Sequence, residues 1–309
     1  MVRSLTTGRG ENLLTEDNAP ERIWQGNRSP GSDGDLDVAR VTVVVALARE
    51  LCDYSCHLTL PMRIFRRLHY WWSLFVAAAL LLIFGPPVLL VAWLTHKHDL
   101  VYPWGLFGAR NWLRLSGVKV QVSGRERLEP AQTYVFISNH RSYLDTATLF
   151  VYTGRRLGLL AKKELLSVPI LGVGMGFVNV MAIDRSNSER ARATVEAATA
   201  RIRSGRSFGV FAEGTRARPG EFLPFKKGAF YMAAQAGVPI VPVAIKNSDI
   251  LMGKGTGEAR AGTIEMVMLP PIPTAGCSTD EAVKKLVNQV QELIGQELDA
   301  PSRSASKPN

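Results

Sequence analysis

Between Trp71 and Leu94 the chain carries no charged side chain, and Ser73 is the only polar one. As one helix, these 24 residues would be about 36 Å long, enough to cross the roughly 30 Å hydrocarbon core of a bilayer. Gly85-Pro86-Pro87 interrupts the run. Each proline removes a backbone donor and collides with the preceding turn, so a break into two helices is expected, each about 21 Å or shorter. Neither half would span alone. Arg63, Arg66 and Arg67 precede the run, and Lys97, Arg110 and Arg114 follow it. Positive charge on both flanks favours a hairpin dipping into one leaflet, with both ends on the cytoplasmic face. A single span is the alternative. A buried core helix fits less well, because Trp71-Trp72 and the basic margins mark a membrane interface.

Residues 1–61 read as a disordered extension. Its first 40 or so residues are rich in Gly, Asn, Asp, Arg and Ser, and Val41–Leu47 is apolar but short. The long polar lead does not have a signal-peptide layout. Met62, followed by Arg-Ile-Phe-Arg-Arg, is an alternative start. Residues 62–98 form the membrane segment, 99–300 a folded domain, and 301–309 a disordered tail. With 37 Lys+Arg against 27 Asp+Glu the net charge is +10, which suits an anionic surface or phosphorylated substrates. The basic residues are scattered, without a nucleic-acid-binding signature, so no nucleic acid partner is expected. Three cysteines fit a reducing compartment rather than a disulfide framework. Cys52, Cys56 and His57 lack a second ligand cluster, so no metal is expected.

From about residue 115 the pattern is α/β. Strands are expected at Val118–Val122, Tyr134–Ile137, Leu157–Ala161, Val180–Ile183, Phe208–Phe211, Ile240–Ile245 and Ile264–Leu269. Helices are expected at Ser188–Ile202, Gly228–Ala236 and Glu281–Leu298, the last with an apolar stripe from Val283 to Ile294. His140 follows the second strand and Asp145 lies five residues on. Five helical residues turn about 500°, so the two side chains meet only if His140 sits in the turn and Asp145 in the first helical turn. Such a pair contains the two outer parts of a Ser-His-Asp triad without the serine. The substrate's own hydroxyl can then be the nucleophile, with His140 as base and Asp145 fixing its tautomer.

Downstream come Ala161-Lys-Lys-Glu-Leu165, Ala182-Ile-Asp-Arg185, Phe211-Ala-Glu-Gly-Thr-Arg216, Phe225-Lys-Lys-Gly-Ala-Phe230 and Val238-Pro-Ile-Val-Pro-Val243. In this order and spacing, with His140 and Asp145, they resemble the motif blocks of the glycerophospholipid acyltransferase family, specifically the 1-acylglycerol-3-phosphate acyltransferases. The resemblance covers roughly residues 115 to 250. It implies a mixed, mostly parallel central sheet flanked by helices, behind a membrane-associated helical segment. It also implies acyl transfer from acyl-CoA or acyl-carrier protein to the sn-2 hydroxyl of lysophosphatidate, with no cofactor and with membrane lipids as surroundings. His140 and Asp145 match the catalytic pair. Asn139, Arg185, Glu213, Gly214, Thr215 and Arg216 match acceptor-binding positions, and Lys162 and Lys227 are weaker candidates. Arginine suits phosphate oxygens through its planar fork. A carboxylate beside a phosphate is repulsive, so Glu213 is expected to hold arginines or a glycerol hydroxyl. Ala212 and Ala217 stand where the family usually has proline and serine.

Three glycine-rich patterns are decoys. Gly205-Arg-Ser-Phe-Gly209 has a helix before it and a strand after, the reverse of a nucleophile elbow, so Ser207 is expected in a turn. Gly172-Val-Gly-Met-Gly176 lacks a preceding strand and an acidic partner, and Gly253-Lys-Gly-Thr-Gly257 has the wrong spacing for a P-loop and reads as a flexible loop. Within the class the rival is a transferase acting on another lyso-lipid; the rivals from other classes are an esterase or thioesterase, for which a serine nucleophile is expected, and a silent lipid-binding protein.

Overall fold

The structure is a computed structural model that describes residues 34–184, 186–277 and 279–301, with side chains described from Leu60 onward. The expectations for residues 1–33 and 302–309, and for the side chains of Cys52, Cys56 and His57, lie outside the described residues. Met1–His57 and Leu58–Asn309 are separate compact units. Only the start of helix α1 (Gly34–Thr95) is described in the first, and it begins within the 1–61 extension.

In the second unit α1 runs unbroken to Thr95 with Pro61, Pro86 and Pro87 inside it. The expected break at Gly85-Pro86-Pro87 does not occur. Pro86 and Pro87 lie on the exposed face. Their missing donors and ring clashes therefore act on the outer side, away from the packed face. Gly85 faces inward, where a Cβ would come within 2.4 Å of Ile170 Cγ2. Tertiary packing outweighs local propensity here.

The chain does reverse, but ten residues later. His96 takes φ 54°, a short 3-10 turn covers His98–Leu100, and α2 (Val101–Leu115) returns antiparallel along α1. Phe84 stacks on Trp104 near the turn. At the other end Trp112 Nε1 donates to Ser73 O at 2.9 Å, and the hydroxyls of Ser73 and Ser116 bond at 2.8 Å.

Seven strands follow: β1 (Val118–Ser123), β2 (Val135–Ser138), β3 (Leu157–Lys162), β4 (Val180–Ile183), β5 (Ser207–Phe211), β6 (Ile240–Lys246) and β7 (Gly262–Met268). Between them lie α3 (Leu144–Tyr152), α4 (Leu171–Phe177), α5 (Ser188–Arg203), α6 (Gly228–Ala236) and α7 (Ser248–Met252), and α8 (Asp280–Asp299) closes the chain. The sheet order is β1-β7-β6-β2-β5-β3-β4. Every neighbouring pair is parallel except β6 with β7. This is the mixed, mostly parallel sheet expected.

β2 and β6 are buried along their whole length, as central strands covered on both faces should be. Their side chains alternate between two cores. Phe136, Val241 and Ile245 pack on one face with Leu113 and Leu149, from α2 and α3. Val135, Ile137 and Ile240 pack on the other with Ile202, Phe230 and Val290, from α5, α6 and α8. Ser207 begins β5 rather than occupying a turn, and its hydroxyl accepts the Tyr134 N–H at 3.1 Å. Gly172–Gly176 lies within α4.

Gly124 leaves β1 at φ 83°, and a Cβ there would sit 1.9 Å from Met268 O. Left-handed backbone and backbone collision act together, so Gly124→Ala is expected to cost about 1–3 kcal/mol. Urea denaturation checks this; an unchanged midpoint would contradict the close approach of this turn to β7.

Candidate active site

The C-terminal ends of β2, β5, β3 and β6 converge at one edge of the sheet, where loops must turn from strand to helix. β2 lies between β5 and β6, so the residues that follow it emerge at the centre. Asn139 fixes that exit. Its Nδ2 donates to Ile245 O at 2.9 Å and its Oδ1 accepts the Ile245 N–H at 2.8 Å. The residue is fully buried, with both polar atoms engaged, so its geometry pins β2 to β6 and does not face an acceptor.

His140 then sits in the turn and Asp145 in the first turn of α3, the arrangement the five-residue spacing required. Nδ1 of His140 lies 3.0 Å from Asp145 Oδ2. The same oxygen accepts the N–H groups of Arg141 and Ser142 at 2.7 Å each. Those two donors hold the carboxylate still, and the carboxylate in turn holds the imidazole. Phe211 stacks on the other side of the ring, with 4.0 Å between centroids. With Nδ1 facing a carboxylate, the proton belongs on Nδ1, and Nε2 presents its lone pair. Nε2 has no partner among the described residues, and the side chain keeps 16% of its surface exposed.

Glu213 lies two residues past β5 and is 2% exposed. Its Oε1 accepts the backbone N–H of His140 at 2.7 Å and its Oε2 that of Leu223 at 3.2 Å. It therefore ties the histidine loop to the loop after β5, and it neither pairs with an arginine nor opens to solvent. Burial pushes its carboxyl up to about 7 despite those two donors. Below about pH 4.5 the group is neutral whether the chain is folded or not. Between there and about 7 only the unfolded chain ionises, so stability falls as pH rises, by up to about 3 kcal/mol. Glu213→Gln is expected to abolish that slope while losing one of the two bonds. Denaturation midpoints of both proteins across this range check it, and parallel profiles would contradict a buried, half-ionised carboxyl.

Gly214 takes φ 72°, which turns the chain toward Arg216. Thr215 is exposed beside it. The Arg216 guanidinium lies over the Tyr143 ring, 3.5 Å from its centroid. Stacking occupies the flat face and leaves the N–H edges, and no ion pair engages them among the described residues. The Ala217 N–H donates to His140 O at 2.7 Å, so the arginine loop and the histidine loop are directly joined. Lys162, at the end of β3, is 59% exposed and pairs with Glu164 at 3.2 Å. Lys227, at the N-cap of α6, is engaged by Asp280 of α8 at 2.9 Å. Arg185 lies outside the described residues. Its neighbour Asp184 is held well below the usual carboxylate range by the Ser186 hydroxyl and by Lys163.

Sequence reasoning missed the elements that brace these loops. Arg141 reaches Asp249 at 3.5 Å and Glu221 O at 2.9 Å. Ser142 bridges to Gly253, and its hydroxyl donates to Met252 O at 2.7 Å. Lys254 donates from its backbone to Arg141 O at 3.3 Å and from its Nζ to Arg216 O. The segment that read as a flexible loop is thus a clasp across both active-site loops. No local pattern could have signalled it, because every partner is distant in sequence.

Behind α3 lies an apolar cavity of about 410 Å³. Ala77, Leu81, Phe84 and Val88 of α1 form one wall, and Thr146 and Ala147, next to Asp145, lie in its lining.

The sequence profile of the acyltransferase family matches residues 119–246. Over 181 residues the chain is 35% identical to 1-acyl-sn-glycerol-3-phosphate acyltransferase alpha of Homo sapiens, which covers 58% of this chain and 64% of that protein. The chain thus spans a little less than two thirds of that relative. With the beta protein of Homo sapiens it shares 34% identity over 190 residues, 60% of this chain and 68% of that one. The crystal structure of the 1-acyl-sn-glycerophosphate acyltransferase PlsC from Thermotoga maritima superposes with a TM-score of 0.66, over 78% of this chain and 99% of that one. At 24% identity that likeness establishes a shared fold.

Proposed function

The chain belongs to the acyltransferase family, with 1-acyl-sn-glycerol-3-phosphate acyltransferases among its relatives, and on that premise we propose that it acylates the sn-2 hydroxyl of lysophosphatidate to give phosphatidate. The donor is a thioester of coenzyme A or of acyl-carrier protein. The observation that carries this reading is His140, oriented by Asp145 through Nδ1, with Nε2 unpartnered among the described residues, on a loop bonded directly to the loop of the stacked Arg216.

Nε2 takes the proton of the acceptor hydroxyl as its oxygen attacks the thioester carbonyl. Asp145 stabilises the imidazolium so formed. The tetrahedral intermediate expels the thiolate, which recovers the proton from His140. This chemistry calls for no cofactor. Arg216 binds the acceptor phosphate through its free edges, with Thr215, Lys162 and Arg185 as the further groups assigned to it. Glu213 and Asn139 position the histidine. The apolar cavity suits an acyl chain, whose burial contributes about 0.8 kcal/mol per methylene. A hydrolase of the serine or cysteine type would need a protein nucleophile on Nε2, and among the described residues no hydroxyl or thiol bonds to it.

Membrane attachment follows from α1. Its most apolar stretch is only 6% buried, so it is not a core helix. Yet Ser73, Val76 and Ala92 are buried against the domain. These points lie about 28 Å apart along the helix, nearly the depth of a bilayer core, so that length cannot be surrounded by lipid. We therefore place α1 and α2 in the plane of one leaflet, with the catalytic domain on the cytoplasmic side, as the flanking arginines favour.

A panel with one labelled acyl-CoA tests the reaction. Lysophosphatidate is expected to exceed a monoacylglycerol lacking phosphate by roughly 10–150-fold in kcat/KM. Equal use of both, or labelling by a serine-directed probe, would sink it.

A further inference from the structure

At the opposite edge of the sheet, where β3, β4 and β5 begin, lies a polar recess of about 580 Å³. It is lined by His98 and Asp99, just beyond the end of α1, by Asn179 before β4, and by Arg201, Ser204 and Arg206 before β5. Arg206 and Glu213 flank β5 and are seven residues apart, so the recess lies about 20 Å from the candidate active site along the strands.

Asn179 is 6% exposed and held at φ 64°. Arg201 Nη1 donates to its Oδ1 at 2.9 Å, which fixes the orientation of the amide. The other end, Nδ2, is therefore a buried donor with no partner among the described residues. Leaving such a donor unpaired costs about 1–3 kcal/mol, so natural structures rarely keep one without a use. Arg206 makes no side-chain bond or ion pair among the described residues. His98 is stacked on Phe177 at 4.9 Å between centroids and holds its ring at the rim. Asp99, the one carboxylate among the described lining residues, pairs with Arg156.

Complementing the helix dipole accounts for Arg201, which sits in the last turn of α5. It does not account for Arg206, which lies beyond the helix, nor for the unpaired amide. A tetrahedral anion in the recess would pair with Arg206, and with the amide once the Asn179 side chain turns its closed-off nitrogen toward the recess. Trp93 and Leu94, exposed at 66% and 62%, end the apolar helix just before this mouth, so an exposed apolar surface borders it.

We propose that this recess binds the phosphate of an anionic membrane lipid, as a site separate from the acceptor phosphate at Arg216. The proposal depends on membrane attachment but not on acyl transfer, so either can fail alone.

Native mass spectrometry of the full chain in detergent, with phosphatidylglycerol as probe and phosphatidylcholine of the same chains as control, tests it. The R201Q/R206Q double variant is expected to bind phosphatidylglycerol about tenfold or more weakly. Arg216→Ala should retain it, and R201K/R206K should recover much of the loss. An unchanged melting temperature shows that the double variant is folded; should it unfold, Arg206→Gln alone is expected to show a smaller loss. Phosphatidylglycerol that resists millimolar inorganic phosphate supports the lipid source, and displacement by phosphate alone overturns it. Equal retention of both lipids, or wild-type retention by every recess variant, overturns the site.

Discussion

Replacing His140 by Ala is expected to lower turnover by about 10²–10⁴, equivalent to about 2.7–5.5 kcal/mol of lost transition-state stabilisation. Only the ring takes part in the chemistry. The backbone N–H stays bonded to Glu213 and the carbonyl to Ala217, so the loop should keep its path. The melting temperature should therefore move little while kcat falls. Asp145→Asn sharpens the test. Its amide oxygen can still accept the N–H groups of Arg141 and Ser142, while Asp145 Oδ1, where the new NH₂ would sit, has no partner among the described residues. An unpaired donor there would cost about 1–2 kcal/mol of stability, but the charge facing the imidazolium is gone. A second loss of about 10²–10⁴ in turnover is expected, and the double variant should be little worse than either alone. Near-normal turnover in His140→Ala would remove the imidazole from the reaction.

Arg216→Ala should act on a different quantity. Loss of a charge-assisted, two-pronged contact is worth about 1.5–3 kcal/mol, or roughly 10–150-fold in kcat/KM for lysophosphatidate. The KM for the thioester should stay put. Against an acceptor without phosphate, wild type and variant should be alike, because the arginine then has nothing to grip. Arg216→Lys keeps the charge but forfeits both the stack on Tyr143 and the planar fork, so it should recover only part of the loss. Identical penalties on both acceptors would show that the residue supports the loop rather than the phosphate.

The strands were legible because this sheet is covered on both faces. Tyr134–Ile137 and Ile240–Ile245 are short, branched or aromatic runs bounded by turns, and such runs have few other uses. Gly228–Ala236 was legible as a helix to the residue. Helix α2 was not, because Pro103, Gly105 and Gly108 blur its pattern. The path of α1 through Pro86 and Pro87 was misread because proline rules describe a helix in isolation, whereas Ile170 and α2 brace this one. Within the site, the spacing of His140 and Asp145 prescribed their meeting. The inward turn of Asn139 and Glu213 was not prescribed. Both are polar residues next to reactive ones, and only the fold separates those that touch a substrate from those that hold the framework.

Helix α1 exposes Leu82, Ile83 and Leu90 on the face that the proposed placement turns to lipid, while Ala77, Leu81, Phe84 and Val88 form a wall of the apolar cavity. Anchor and pocket are thus opposite sides of one rod. Trimming the chain to obtain a detergent-free catalyst would open that pocket along its flank. Substitutions intended to retune fatty-acid preference there will also alter how the protein sits in the bilayer, so the two traits must be engineered together.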